Sequence, residues 1–260
     1  MRPAMVALAA APSALVVSAC GGGSVSPAAI TGAATKTASV KSYRVDATTT
    51  LKVQNRNVTI SATGAFAPPK RRGRMSLDLT QLVQGPTTPF NVGRALFILD
   101  GPDVYMRLGL LQQRPGQKPW AKIDLARAAR AGGFGSLLQL GTGGDPTATL
   151  QYLKGIGKVR KEGSETVRGE PTTHYAGTID LRKVAGGAAL VRTTGEREVP
   201  VEVWVGKDGL VRREKWKERV KLGSTSSDVE LRLELYGFGA PVIAPVPPAD
   251  QVTDLTGGTP

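Results

Sequence analysis

Asp228-Val229-Glu230-Leu231-Arg232-Leu233-Glu234-Leu235 alternates charged and apolar side chains without a break. Successive side chains of a strand point to opposite faces, so this stretch is a ribbon with one greasy side and one wet side. Such a ribbon belongs in an antiparallel sheet that buries a single face. Working back along the chain, Leu210 to Val220 reads as its partner, and Lys207-Asp208-Gly209 is the turn that feeds it. Val199, Val201, Val203 and Val205 line up on one side of the strand before, with Glu202 and Trp204 on the other.

The same period governs the first half. Tyr43, Val45, Ala47, Thr49, Leu51 and Val53 alternate with Arg44, Asp46, Thr48, Thr50 and Lys52. Asn55-Arg56-Asn57 turns the chain, and Val58, Ile60, Ala62, Gly64 and Phe66 share the next face up to Pro68-Pro69. Met75, Leu77 and Leu79 continue the pattern after that turn. Gly85 to Pro89 reads as a loop. Ala95 to Leu99 and Val104 to Leu108 form a hairpin about Asp100-Gly101, and Trp120 to Asp124 adds a further strand.

The middle of the chain changes period. Leu125 to Ala131, Phe134 to Leu140 and a segment opening at Asp145-Pro146 read as short helices, the last with Leu150, Leu153 and Ile156 as its apolar stripe. Lys158 to Val167 and Thr172 to Leu181 return to strand. Arg182 to Val191 reads as a helix weakened by Gly186-Gly187, and the tail from Pro241 is proline-rich and extended. The sum is a mainly β, α+β chain of about eleven antiparallel strands with a few short helices. A sheet that long curls. The mid-chain helices would cover its apolar concave face and leave a hollow, since aromatic residues make up only 5% of the chain.

Composition supports a folded domain, with 40% hydrophobic and 21% charged residues. At the start, Arg2 precedes an apolar run from Ala4 to Val17 that ends in Ser18-Ala19-Cys20 and Gly21-Gly22-Gly23-Ser24. This is the layout of a secretory signal over residues 1–19, too short to span a membrane. The lone cysteine directly after it resembles a bacterial lipobox, in which Cys20 would receive diacylglycerol and become the first mature residue. The other reading is an ordinary signal cut near Ala19, with Cys20 an incidental thiol. Residues 20–29 then read as a lipidated cysteine and flexible tether, with a modest helix over Ile30 to Val40. Residues 30–256 form one domain, and 257–260 are a disordered tail.

The formal charge is +13. For an exported chain this favours anionic lipid headgroups over nucleic acid as a partner. Lys70-Arg71-Arg72-Gly73-Arg74 is the densest basic run, and Arg213, Lys215, Lys217, Arg219 and Lys221 share one strand face. Both read as solvated surface first and as headgroup contacts second. His174, the only histidine, reads as a polar residue of the outer sheet face, because Thr172 and Thr173 give it no triad geometry. Gly141-Thr142-Gly143-Gly144 and Gly155-Ile156-Gly157-Lys158 lack P-loop spacing and read as helix stops. No catalytic, metal or cofactor constellation emerges.

Several segments together resemble the LolA/LolB-like lipoprotein carriers, most closely the actinobacterial LppX/LprG group. They are the ending at Cys20, Ser42-Tyr43-Arg44-Val45, Asp103 to Leu108 followed by Lys118 to Asp124, Gly163 to Tyr175, Pro200 to Val205 with Asp208-Gly209, and Pro248 to Leu255. The resemblance implies a curved antiparallel half-barrel over a few helices, with an apolar cavity for acyl chains. It implies a monomeric, non-enzymatic envelope lipoprotein, acylated on Cys20 by diacylglycerol and an N-acyl chain such as palmitate, and held on the outer face of the cytoplasmic membrane. Its cargo would be a lipid or lipoglycan. Only Cys20 carries over residue by residue, and Gly186 to Glu198 has no counterpart. The alternative in another class is a lipid-anchored sensor or scaffold that binds an envelope protein.

Overall fold

The computed structural model describes residues 24–53, 56–83, 93–109, 117–124, 146–222 and 225–255. Its strands are β1 (Tyr43–Val53), β2 (Arg56–Ala67), β3 (Arg72–Asp78), β4 (Arg94–Asp100), β5 (Asp103–Arg107), β6 (Trp120–Asp124), β7 (Ile156–Val167), β8 (Glu170–Asp180), β9 (Glu198–Gly206), β10 (Val211–Leu222), β11 (Thr225–Tyr236) and β12 (Val252–Asp254). All join one sheet in the order β12-β6-β5-β4-β3-β2-β1-β11-β10-β9-β8-β7. Every pairing is antiparallel except β12 on β6. The sheet is therefore a run of hairpins closed in the middle by β1 against β11, the two cleanest alternating stretches of the sequence.

Their register puts Val45 opposite Leu235, Ala47 opposite Leu233 and Thr49 opposite Leu231, with Arg44, Asp46 and Thr48 opposite Tyr236, Glu234 and Arg232. One side of the sheet is thus apolar across both strands and the other is charged. A one-residue slip would exchange the two faces, so the alternation itself fixes this pairing.

The helix α1 (Pro27–Ala38) lies on the apolar face and buries Ile30, Ala33, Ala34 and Thr37. It begins before the expected Ile30, because Ser26 Oγ accepts from the Ala28 N–H and Pro27 sits at the first helical position. Thr37 Oγ1 accepts from the Val211 N–H across 2.8 Å and donates to the Ala33 carbonyl across 2.7 Å, which locks the helix against β10. The segment expected to open at Pro146 does so, as a 3-10 helix over Pro146–Gly155, with Leu150 and Leu153 buried beside α1. The helices expected over 125–131 and 134–140 fall outside the described residues.

The stretch Gly186 to Glu198 resolves into α2 (Gly187–Thr194) and the start of β9. At Gly187 any Cβ would sit 1.7 Å from the Leu181 carbonyl oxygen, so only glycine lets the chain pass there. The predicted eleven strands become twelve through the tail. After Tyr236 the chain crosses the outer face, where Val242 and Ala244 pack with Ile98, Trp120, Leu96, Tyr105 and Val252. Arg72 Nη2 donates to the Ala244 carbonyl across 3.1 Å and Lys118 Nζ to the Val252 carbonyl across the same distance. Having crossed outside the sheet, the tail returns alongside β6 in the same direction, which is why this one pair is parallel.

Candidate functional site

The inner face of the sheet is one continuous apolar wall. Across β1 to β6 it presents Val45, Ala47, Ala62, Leu77, Phe97, Met106, Ala121 and Ile123, joined by Leu231 and Leu233 from β11. Many of these side chains are small. Ala47 lies directly opposite Ala62, and Ala62 opposite Leu77. Ala47, Ala62, Leu79, Leu108, Ile123 and Leu231 are only half-buried. At the end of the wall near Tyr43, packing is tight. The Phe66 ring stacks on Tyr43 with centroids 5.7 Å apart and covers Gly73, whose absent Cβ would lie 2.3 Å from the ring. The crevice left there, between Phe66, Met75, Phe97 and Val104, holds about 10 Å³. Among the described residues the wall is tightly packed near Tyr43, buried at Leu77, Phe97, Met106 and Ala121, and half-buried at Ala47, Ala62, Ile123 and Leu231.

Two carboxyls interrupt it. Glu214 stands opposite Leu233 and next to Trp216 on the same face, fully buried. Its Oε2 accepts from Thr149 Oγ1 at 3.1 Å and from Trp216 Nε1 at 3.3 Å, whereas Oε1 has no partner among the described residues. Burial pushes its carboxyl up to about 7, and the two hydrogen bonds only partly oppose this. Glu218, two inner positions further, is also raised, first by burial and then by the charge of Glu196. It opens with Leu51, Val229 and Glu196 onto a cleft of about 570 Å³ beside the ends of β10 and β11. Sequence reading counted the basic residues on the other face of β10 and passed over these two. The signal comes with the pairing, which sets Glu214, Trp216 and Glu218 opposite Leu233, Leu231 and Val229.

On the outer face Arg213, Lys215, Lys217 and Arg219 of β10 are paired. Arg213 Nε donates to Glu234 Oε1 at 2.9 Å, Lys215 and Lys217 reach Glu230 at 3.3 and 3.6 Å, and Arg219 reaches Asp228 at 2.9 Å. Glu234 also accepts from Arg232 and, at 2.6 Å, from Arg168 of the β7–β8 turn, and Arg168 pairs in turn with Asp46. Burial alone would raise the Glu234 carboxyl, but the three arginines outweigh it and hold it below its ordinary value. The run Lys70 to Arg74 spans the turn into β3, where Arg72 is held 3.1 Å from Asp100.

His174 lies on this outer face, flat against Trp204, with Nε2 2.9 Å from Glu202 Oε2. Its neighbour Thr172 donates to the Glu165 carbonyl. These contacts are those of a packed polar residue. Gly155 ends the 3-10 helix, as a helix stop should; Gly141 to Gly144 lies outside the described residues. Cys20 also lies outside them, as do residues 1–19 in which the signal was read. Among the described residues no helix is long and apolar enough to cross a membrane, and no group of three or more His, Cys, Asp or Glu could hold a metal ion.

No protein-family model matches the chain. A candidate lipoprotein of Streptomyces coelicolor is 29% identical over 228 residues, covering 82% of this chain and 70% of that one. An uncharacterized 31.2 kDa protein of Streptomyces griseus is 26% identical over 170 residues, covering 59% of this chain. The match spans 54% of that relative, about half its length. Among solved structures, LprF from Mycobacterium bovis superposes with a TM-score of 0.50 at 17% identity, over 86% of this chain and 99% of LprF. Sheet order, inner helices and this superposition agree: the chain has the curved, open half-barrel fold of LprF.

Proposed function

We propose that this chain is an extracytoplasmic lipoprotein, acylated at Cys20 and held on the outer face of the cytoplasmic membrane, that shelters the acyl chains of a lipid or lipoglycan against its inner wall and carries them along the envelope without catalysis. The observation that carries this reading is the inner wall. It is apolar across β1 to β6 and β11, and its side chains at Ala47, Ala62, Ile123 and Leu231 are half-buried among the described residues. Transfer of hydrocarbon from water to such a wall is favourable by about 25 cal/mol per Å². A single sixteen-carbon chain then supplies ample free energy for binding with no polar recognition at all. The likeness to a candidate lipoprotein of Streptomyces coelicolor, 29% identical, supports the anchored part of this reading.

The test has two readouts. Expressed in a host that processes lipoproteins, the mature chain should begin at Cys20 and carry the added mass of diacylglycerol and an N-acyl group, and Cys20→Ala should lose both. Purified without harsh detergent, the Cys20→Ala chain should release a stoichiometric apolar molecule on extraction for mass spectrometry. An empty extract would remove the carrier reading and leave a lipid-anchored scaffold that binds another envelope protein.

A further inference from the structure

The chain enters its fold at a defined place. Ser24 bridges to Arg160 on β7, and the Val25 N–H donates to the Val159 carbonyl across 3.0 Å. β7 is the outermost strand of its side of the sheet, and among the described residues this entry segment is what lies on its outer edge. Only Gly21, Gly22 and Gly23 separate Ser24 from Cys20. A chain advances at most about 3.6 Å per residue, so the Cα of Cys20 stays within roughly 14 Å of that of Ser24. A cysteine whose acyl chains sit in a leaflet therefore holds the β7 edge next to the headgroups. A long tether would leave the orientation free; this one does not.

The edge it holds there is basic. Lys158, Arg160 and Lys161 are exposed along β7, and neither Lys158 nor Lys161 forms an ion pair among the described residues. Behind them a groove of about 460 Å³ on the outer face is lined by Arg160, paired with Glu162 at 3.1 Å, and by Lys215 and Lys217, which share Glu230, so that among the described residues the unpaired charge at this edge is that of Lys158 and Lys161. Within a tether of this length the charges lie close to the range over which an anionic surface is felt at physiological salt. Each such cation adds about 1 kcal/mol of attraction to it. A protein strand is a poor occupant for the same edge. β7 is bulged between Gly157 and Arg160 and again between Lys161 and Gly163, and Lys158 adopts a left-handed conformation. Bulges and lysines on an edge obstruct pairing with another strand. The other basic run, Lys70 to Arg74, lies seven strand positions away, which at about 4.8 Å per strand is well beyond the reach of so short a tether.

We infer that the β7 edge, with Lys158, Arg160 and Lys161 backed by Lys215 and Lys217, docks on the anionic phospholipid headgroups of the bilayer that anchors Cys20, so that the half-barrel stands with β7 at the membrane and β12 away from it. The anchored form of this inference rests on the acylation of Cys20. The docking surface is tested separately from it.

The experiment is amine-reactivity footprinting by mass spectrometry of the acylated full chain in vesicles of phosphatidylcholine with phosphatidylglycerol, compared with the same chain in neutral detergent. Lys158 and Lys161 should react about threefold or more slowly on the vesicles, with Lys70 and Lys122 unchanged. A second arm places the Cys20→Ala chain on the same vesicles at low salt, with the triple reversal Lys158→Glu, Arg160→Glu, Lys161→Glu beside it. Protection of Lys158 and Lys161 in that arm, and loss of vesicle binding in the reversal, would uphold the surface even in a chain that carries no acyl group. If Lys158 and Lys161 react equally with and without vesicles in both arms, or protection falls on Lys70 instead, the inference is wrong while the carrier reading stands.

Discussion

Thr149 Oγ1 donates to Glu214 Oε2 across 3.1 Å, tying the 3-10 helix of Pro146–Gly155 to the inner wall through a carboxyl that water does not reach. A group whose folded pKa is about 7 rather than 4.5 binds a proton in the folded chain that it releases on unfolding. Between those two values the folded state holds more protons, so stability falls as pH rises. The contribution is flat below the lower value and fully lost above the upper one, and it is of order a few kcal/mol. Glu214→Gln keeps a neutral side chain that still accepts from Thr149. Denaturant melts should show wild type and Glu214→Gln alike at pH 5, and the variant more stable at pH 8. Parallel curves for the two chains would mean that Glu214 is ionised in the folded state.

Glu234 on the opposite face carries the reverse sign. Its carboxyl is held below 4.5 by Arg232, Arg168 and Arg213 in spite of burial. It therefore adds stability above its unfolded pKa that disappears as pH falls through the folded one. Glu234→Gln should cost about 2 kcal/mol at pH 7, because three guanidinium groups lose their shared anion. That deficit should shrink in acid, below the ordinary glutamate range. A deficit independent of pH would assign the loss to packing instead.

Ala62 is placed to test whether the wall faces lipid. It lies on the inner face between Ala47 and Leu77, half-buried. A tryptophan there projects into whatever space lies above the wall. If that space holds acyl chains, Ala62→Trp should reduce co-purified lipid about fivefold or more with little change in melting temperature. If side chains already fill it, overpacking should cost about 1–3 kcal/mol and leave the extract unchanged.

How much of this was legible in the sequence follows from which residues carry a local signal. Alternation in Tyr43 to Val53 and in Asp228 to Leu235 declares a face, and the register of β1 on β11 follows from burying it. Asp100-Gly101 likewise turns β4 into β5, with Gly101 at φ +60°. The twelfth strand was not legible, because Val252-Thr253-Asp254 has no pattern of its own. It exists through a tail whose anchor residues, Val242 and Ala244, lie in a proline-rich stretch that reads only as extended. Glu214 was hidden for a different reason. Between Arg213 and Lys215 it looks like one more charge on a solvated strand, and only the pairing with Leu233 shows that it points inward.

That tail gives the last prediction. Ile98 and Trp120 are large apolar side chains on the outer face, 8% and 9% exposed, and what covers them is Ala244 together with Val242 and Val252. Arg107 lies over the Trp120 ring with its guanidinium carbon 5.2 Å from the centroid, which leaves Trp120 enclosed by strap on one side and cation on the other. A carboxylate at position 244 would have to be buried among apolar side chains or lift the strap off. The arginine closest at hand, Arg72, is engaged with Asp100 and with the Ala244 carbonyl itself. Ala244→Asp should therefore cost about 2 kcal/mol or more, and detachment of β12 from β6 should accompany it. Hydrogen exchange reads both at once. The Leu255 amide, which donates to the Lys122 carbonyl across 2.9 Å, should lose protection, whereas the β1–β11 seam should keep it. Uniform loss over the whole sheet would instead make the strap part of the cooperative core rather than a separable cover.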